Sequence, residues 1–129
     1  MPRQTPRPVP PSAPGAPALD GRVFAPVVEQ APGQVGPRTR FAYHERDGVV
    51  WAEYAGGEVV RGHLVGTRDG DRLDFRYVQL RTDGTTACGR CTSEVLVLPD
   101  GRLRLLETWE WESGPGRGTS VVEELAEAA

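Results

Sequence analysis

Residues Arg102–Ser113 read R-L-R-L-L-E-T-W-E-W-E-S. Every second residue from Leu103 gives Leu103, Leu105, Glu107, Trp109 and Trp111, and the other set gives Arg102, Arg104, Leu106, Thr108, Glu110 and Glu112. Side chains alternate across a strand with period two, so this pattern predicts a long strand with an apolar, aromatic face and a charged face. A helix would scatter Glu107, Trp109 and Trp111 around its circumference. Glu107 is a carboxyl group on the apolar face, one pleat from the first tryptophan. Burying a carboxylate without a partner is costly, so it must be hydrogen-bonded, protonated or hydrated.

The same alternation recurs between turn signals. These are Asp47-Gly48, Gly56-Gly57, Asp69-Gly70, Asp83-Gly84, Asp100-Gly101 and the Gly114–Gly118 cluster. Asp-Gly and Gly-Gly steps supply the positive φ angles that tight hairpins need. They separate seven predicted strands: Arg38–Arg46, Val49–Ala55, Glu58–Thr67, Arg72–Arg81, Thr85–Leu98, Arg102–Ser113 and Thr119–Leu125. An eighth, Arg22–Gln30, is broken by Pro26 and reads as an edge or bulged strand. Ala31–Pro37 is a loop. No helix is predicted beyond a frayed E-E-L-A-E-A-A end. The fold class is therefore all-β, an eight-stranded antiparallel up-and-down barrel, which closes its edges and is wide enough for one small ligand.

Turn arithmetic assigns the faces. A two-residue turn pairing Arg46 with Val49 groups Phe41, Tyr43 and Glu45 with Val50, Ala52 and Tyr54. A two-residue turn at Asp69-Gly70 groups Gly62, Leu64 and Gly66 with Leu73, Phe75, Tyr77 and Gln79. Joining the groups needs an odd-length, bulged turn at Ala55-Gly56-Gly57. The glycines inside Glu58–Thr67 suit a bend or backbone packed against an aromatic ring. For Thr85–Leu98, two-residue turns would turn Cys88, Arg90, Thr92 and Glu94 inward. The other phase, Ala87, Gly89, Cys91, Ser93, Val95 and Val97, is more apolar and is preferred with an assumed bulge. The phase of Thr119–Leu125 stays open.

Composition narrows the class. The chain has 129 residues, enough for one domain. Seven of its twelve prolines lie in the first twenty residues, which predicts a disordered Pro/Arg-rich tail over 1–21 and a single barrel domain over 22–129. That tail has no apolar run, so no signal peptide or membrane span is expected, and the default location is the cytoplasm. Net charge is −3 with alternating signs, which offers no electrostatic footprint for nucleic acid. All fifteen basic residues are arginine, so no lysine is present for a Schiff base or a P-loop. Cys88 and Cys91 form a lone C-G-R-C; a zinc ribbon needs a second pair, and residues three apart on a strand face opposite ways. Free thiols, no metal and no cofactor are expected.

The predicted interior carries Tyr43, Tyr54, Tyr77, Gln79, Ser93, Glu107, Trp109 and Trp111. A packing core favours aliphatic residues, whereas amphipathic aromatics with a few convergent polar groups line small-molecule sites. The first expectation is a pocket for an aromatic or apolar ligand with a polar head, stacked on Trp109 and Trp111 and read by Glu107, Tyr77 and Gln79. The second is an isomerase- or cyclase-type enzyme on the same barrel with Glu107 as general acid or base, since a carboxyl group buried against tryptophan has a raised pKa. The third is a non-catalytic interaction or assembly module with a filled core, in which Glu107 accepts bonds from its neighbours. His44 and His63 both fall on outward phases, which argues against a nucleophilic triad. Glu123-Glu124 turns one carboxylate inward in either phase; it reads first as an exposed terminal charge pair and second as an acid near Glu107. A homo-oligomer stays open.

Gly48–Gly57, Arg61–Gly66, Phe75–Gln79, Cys88–Ser93, Asp100–Trp111 and Gly118–Glu124 together resemble a group of short bacterial avidin-like proteins often labelled N-acetylglutamate synthase. The similarity spans about Phe41–Glu124, and E-x-W-x-W is its most specific part. The resemblance implies an avidin-like or lipocalin-like antiparallel barrel. The synthase label conflicts with the residues. An acetyltransferase of the usual fold needs a helix N-terminus behind a Gly-rich loop to receive pyrophosphate, and G-P-G-R-G (114–118) is followed by a strand pattern. No catalytic residues carry over, and biotin binding is not implied, because avidin's ligand contacts do not map onto this chain.

Overall fold

A computed structural model describes residues 17–27 and 37–126. Its strands are β1 (Val23–Pro26), β2 (Arg40–Arg46), β3 (Val49–Gly56), β4 (Val59–Asp69), β5 (Arg72–Arg81), β6 (Thr86–Val97), β7 (Leu103–Trp111) and β8 (Arg117–Glu124). Each pairs with its sequence neighbour, and β8 returns to β1, so the sheet is a closed antiparallel barrel. Strand β1 is shorter than expected and is no edge: Phe24 lies opposite Phe41 on one side and Glu124 on the other. Its last residue, Pro26, has no N–H for the ladder, and that suits a strand end.

The turns explain which residues face inward. Asp47 and Gly48 both have positive φ, 52° and 78°, as a two-residue mirror-type hairpin requires, and Arg46 lies opposite Val49 as expected. Between β3 and β4 the register shifts between Tyr54 and Gly56, the bulge that the face assignment demanded. The β4–β5 turn is centred on Gly70-Asp71 instead of Asp69-Gly70, with Asp69 opposite Arg72. The shift is an even number of residues, so the inward set is unchanged.

The β6 phase is settled by two three-residue turns. The Arg81 N–H donates to Thr85 O and the Gly84 N–H to Arg81 O, enclosing 82–84; the Leu98 N–H donates to Arg102 O and the Gly101 N–H to Leu98 O, enclosing 99–101. Asp83 and Asp100 each accept the backbone N–H two residues on, at 3.0 Å. An odd loop at each end flips the strand relative to two-residue turns, so Ala87, Gly89, Cys91, Ser93 and Val95 point inward. In β8 the open phase resolves to Gly118, Ser120, Val122 and Glu124 inward, opposite Trp109, Glu107 and Leu105 for the first three.

One end of the barrel is filled. Leu19, Phe24, Tyr43, Val50, Leu73, Leu103, Leu105 and Val122 are buried there and in the middle. Residues 17–21, assigned to the tail from the sequence, instead lie against this end. The Leu19 side chain is fully buried, and the Gly21 N–H donates to Tyr43 O at 2.9 Å. The Arg68 Nη1 donates to Glu45 Oε1 at 2.8 Å and to Pro17 O at 2.7 Å, and Glu45 Oε1 also accepts the Leu19 N–H at 2.8 Å. Two buried, opposite charges thus satisfy each other and the incoming backbone. The predicted tail up to residue 16, the end of the first predicted strand and most of the predicted loop (28–36), and the last three residues of the predicted frayed end (127–129) lie outside the described residues.

Candidate functional site

All eight residues singled out from the sequence occupy the inner face. Glu107 lies opposite Ser93 on β6 and Ser120 on β8. The Ser120 hydroxyl donates to Glu107 Oε1 at 2.8 Å. Burial pushes the Glu107 carboxyl up from its ordinary 4.5 to about 7, and the Ser120 bond pulls only partly against this.

Around Glu107 stands a cluster of weak acids held neutral by burial. Tyr43 is buried, with its hydroxyl pKa raised well above the ordinary value by desolvation and then by Glu107. Tyr54 and Tyr77 are raised by the same main cause, and each senses the other groups of the cluster. The Cys91 thiol is pushed up by burial and then by Glu107, so it is an inert core thiol and not a nucleophile. It lies 3.7 Å from the Ser93 hydroxyl. Cys88, three residues earlier, is exposed on the outer face, and both thiols are free.

Two polar atoms of this cluster have no partner. The Tyr54 hydroxyl donates to Gln79 Oε1 at 2.9 Å, which fixes the amide and leaves Gln79 Nε2 buried without an acceptor. The Tyr43 hydroxyl is likewise buried and unpaired. Buried donors are nearly always satisfied, so such atoms call for an explanation.

The opposite end from Arg68 is aromatic. Tyr77 meets Trp111 edge to face at 5.4 Å between ring centroids, and Trp109 and Trp111 are tilted at 5.9 Å. All three rings are half-buried. The Arg81 guanidinium lies over Trp111, 5.6 Å from the ring centroid. Glycine makes room for these rings. A side chain at Gly62 would collide with the Tyr54 ring, and one at Gly118 would come within 2.7 Å of Trp109. Glycine against an aromatic ring is the packing expected for β4.

The histidines face outward: His44 Nε2 sits 2.8 Å from Glu53 Oε1 and its ring stacks on Trp51. The Glu123-Glu124 pair is neither an exposed terminus nor a neighbour of Glu107. Glu123 is bound by Arg104, and Glu124 accepts from Arg22 at 2.7 Å and from the Leu103 N–H at 3.0 Å. Inward phase placed Glu124 on the barrel lining, but the register carries it toward the filled end. Sequence reasoning missed Ser120, whose phase was open, and Arg81, which continues the inward series Tyr77, Gln79 and could have been read from it.

A family model described as Avidin-like protein matches residues 17–125. The chain belongs to the avidin-like family. The match begins at Pro17, the first described residue, and ends one residue past β8. Comparisons with curated proteins and with solved structures find no match. The avidin-like barrel is a fold that typically binds small molecules. Here its interior is aliphatic and sealed at one end, aromatic and half-exposed at the other, with a protonatable polar cluster between.

Proposed function

We propose that this avidin-like protein binds a small aromatic or apolar molecule with a polar head. Trp109 and Trp111 form the stacking wall, and Glu107, Gln79 and Tyr77 read the polar group, with Tyr43 beside them. Tyr54 orients the Gln79 amide, and Ser93 and Ser120 flank Glu107. The observation that carries the reading is the pair of buried, unpaired groups, Gln79 Nε2 and Tyr43 Oη, in the same cluster as Glu107. A ligand acceptor would satisfy both, and an unmade buried hydrogen bond costs about 1–3 kcal/mol. The half-exposed tryptophans supply the wall through which such a molecule would enter.

The test is a thermal-shift screen of the protein against a metabolite library, followed through tryptophan fluorescence. A compound that raises the melting temperature and quenches the tryptophans supports the reading. If no compound shifts the melting point and acrylamide does not reach the tryptophans, the interior is filled, and the protein works through its outer surface.

One observation favours a second reading, an isomerase or cyclase. A Glu107 carboxyl poised near neutrality can donate or accept a proton at working pH. Incubation of a binding compound with the protein, and a search for product, separates the two. Glu107→Gln abolishes turnover and spares binding if Glu107 is the acid or base.

A further inference from the structure

The interior holds two donors that the fold does not use and one carboxyl group able to exchange a proton. Tyr43 on β2 and Gln79 on β5 are 1% and 2% exposed, and neither the Tyr43 hydroxyl nor Gln79 Nε2 has a partner. Tyr54 holds Gln79 Oε1 at 2.9 Å, so the amide presents only N–H donors to a ligand. Ser120 orients the Glu107 carboxyl through Oε1 at 2.8 Å, which leaves Oε2 as the oxygen that takes or gives a proton.

These groups share one neighbourhood. Burial first, and then neighbouring charges that include Glu107 each time, raise the pKa of Tyr43, of Tyr54, of Tyr77 on β5 and of Cys91 on β6. The three tyrosines and the thiol stay protonated, so Glu107 is the one member of this set that titrates near neutrality. The inventory limits the head of a ligand. An ammonium leaves the Gln79 N–H groups unpaired, and a carboxylate adds a second negative charge beside Glu107 in a desolvated site. A carbonyl oxygen accepts from both Gln79 and Tyr43 and brings no charge. If the carbon beside that carbonyl gives a proton to Glu107, the interior carries one negative charge throughout. The charge passes from the carboxylate to the enolate oxygen, where fixed donors receive it.

We propose that this interior enolises neutral aryl or polycyclic ketones, with Glu107 taking a proton from the carbon beside the carbonyl and with the Tyr43 hydroxyl and Gln79 Nε2 stabilising the enolate oxygen. The C–H bond breaks, its electron pair forms the C=C bond, the carbonyl π pair moves to oxygen, and the proton forms the O–H bond of Glu107. Its return to the same carbon gives exchange with solvent. Its return to the far carbon of an adjoining double bond gives isomerisation. The rings lie along Trp109 and Trp111. This inference rests on the proton-transfer reading above and adds the substrate class, the reaction and two further catalytic groups.

The experiment uses the full chain in heavy water with 2-tetralone, an aryl-fused ketone, and with tetralin, which has the same rings and no carbonyl. Binding is read by tryptophan quenching, and deuterium entry beside the carbonyl by proton NMR. The protein is expected to accelerate exchange over buffer and to saturate with 2-tetralone. Glu107→Gln should lower the exchange rate at least about a hundredfold while 2-tetralone still quenches the tryptophans. Tyr43→Phe should lower it about a hundredfold, the loss of one oxyanion donor. In the wild-type protein the rate should rise through about pH 7 and level off as Glu107 ionises, a readout that needs no variant to fold. Binding of 2-tetralone without exchange above buffer, exchange that survives Glu107→Gln, or a rate with no such rise overturns the enolisation and leaves the pocket standing. If neither 2-tetralone nor tetralin quenches the tryptophans, the binding reading fails and the enolisation falls with it.

Discussion

Replacing Glu107 with glutamine changes how stability depends on pH. Burial raises the Glu107 pKa from 4.5 to about 7 in the folded protein, while the unfolded chain keeps the ordinary value. A raised carboxyl pKa means that the folded state holds its proton more tightly. Below pH 4.5 both states are protonated and the group adds no pH dependence. Between pH 4.5 and 7 the unfolded chain loses the proton first, so stability falls as pH rises. Each pH unit costs about 1.4 kcal/mol, so the loss approaches about 3 kcal/mol above neutrality. Glutamine is isosteric, still accepts the Ser120 hydroxyl, and never ionises. Wild-type and Glu107→Gln proteins should therefore differ little at pH 5. By pH 8 the variant should gain about 2.5 kcal/mol relative to its own pH 5 difference, or roughly 10 °C or more in melting temperature for a domain of this size. Urea titrations of both proteins from pH 5 to 9 measure the difference directly. Parallel pH profiles would refute the reasoning, because they would mean that Glu107 is hydrated or paired strongly enough to ionise at its ordinary value.

Tyr43→Phe removes a buried hydroxyl that has no partner, so the free protein should keep its stability within about 0.5 kcal/mol or gain, while affinity for a bound compound falls; a loss above about 2 kcal/mol in chemical denaturation would show that the hydroxyl is satisfied. Arg68→Met leaves the Glu45 carboxylate buried beside an apolar side chain and should cost about 3–5 kcal/mol, with Glu45→Gln added to Arg68→Met recovering part of it in a double-mutant cycle. Gly62→Ala drives a methyl into the Tyr54 ring, breaks the Tyr54–Gln79 bond and should destabilise by about 1–3 kcal/mol, whereas Gly70→Ser, beside open space but at a positive φ of 61°, should cost about 1 kcal/mol; thermal melts of the two variants compare them.

The sequence alone determined what depends on the period of two within a strand and on turns whose length its residues fix. Alternation in 102–113 placed Glu107, Trp109 and Trp111 on one face, and an even shift of the β4–β5 turn could not move Tyr77 or Gln79 off that face. Strand number, antiparallel order and closure followed from turn residues whose positive φ is a local demand. Where parity depended on loop length, the pattern was ambiguous. Strand β6 needed two three-residue turns to turn Cys91 and Ser93 inward, and β8 needed its pairing with β7 to bring Ser120 to Glu107. Only the tertiary structure decided what lies at which end, because barrel register carries each strand along its neighbour by an amount that no single strand encodes. It sent Glu124 away from Glu107, set Arg68 on Glu45 and Pro17, and turned residues 17–21 from an expected tail into a cover for the barrel. It also decided which polar groups meet. Glu107 was legible as an anomaly in its strand; its raised pKa, the Tyr54–Gln79 bond and the two unpaired donors are properties of side chains from five different strands packed in one interior.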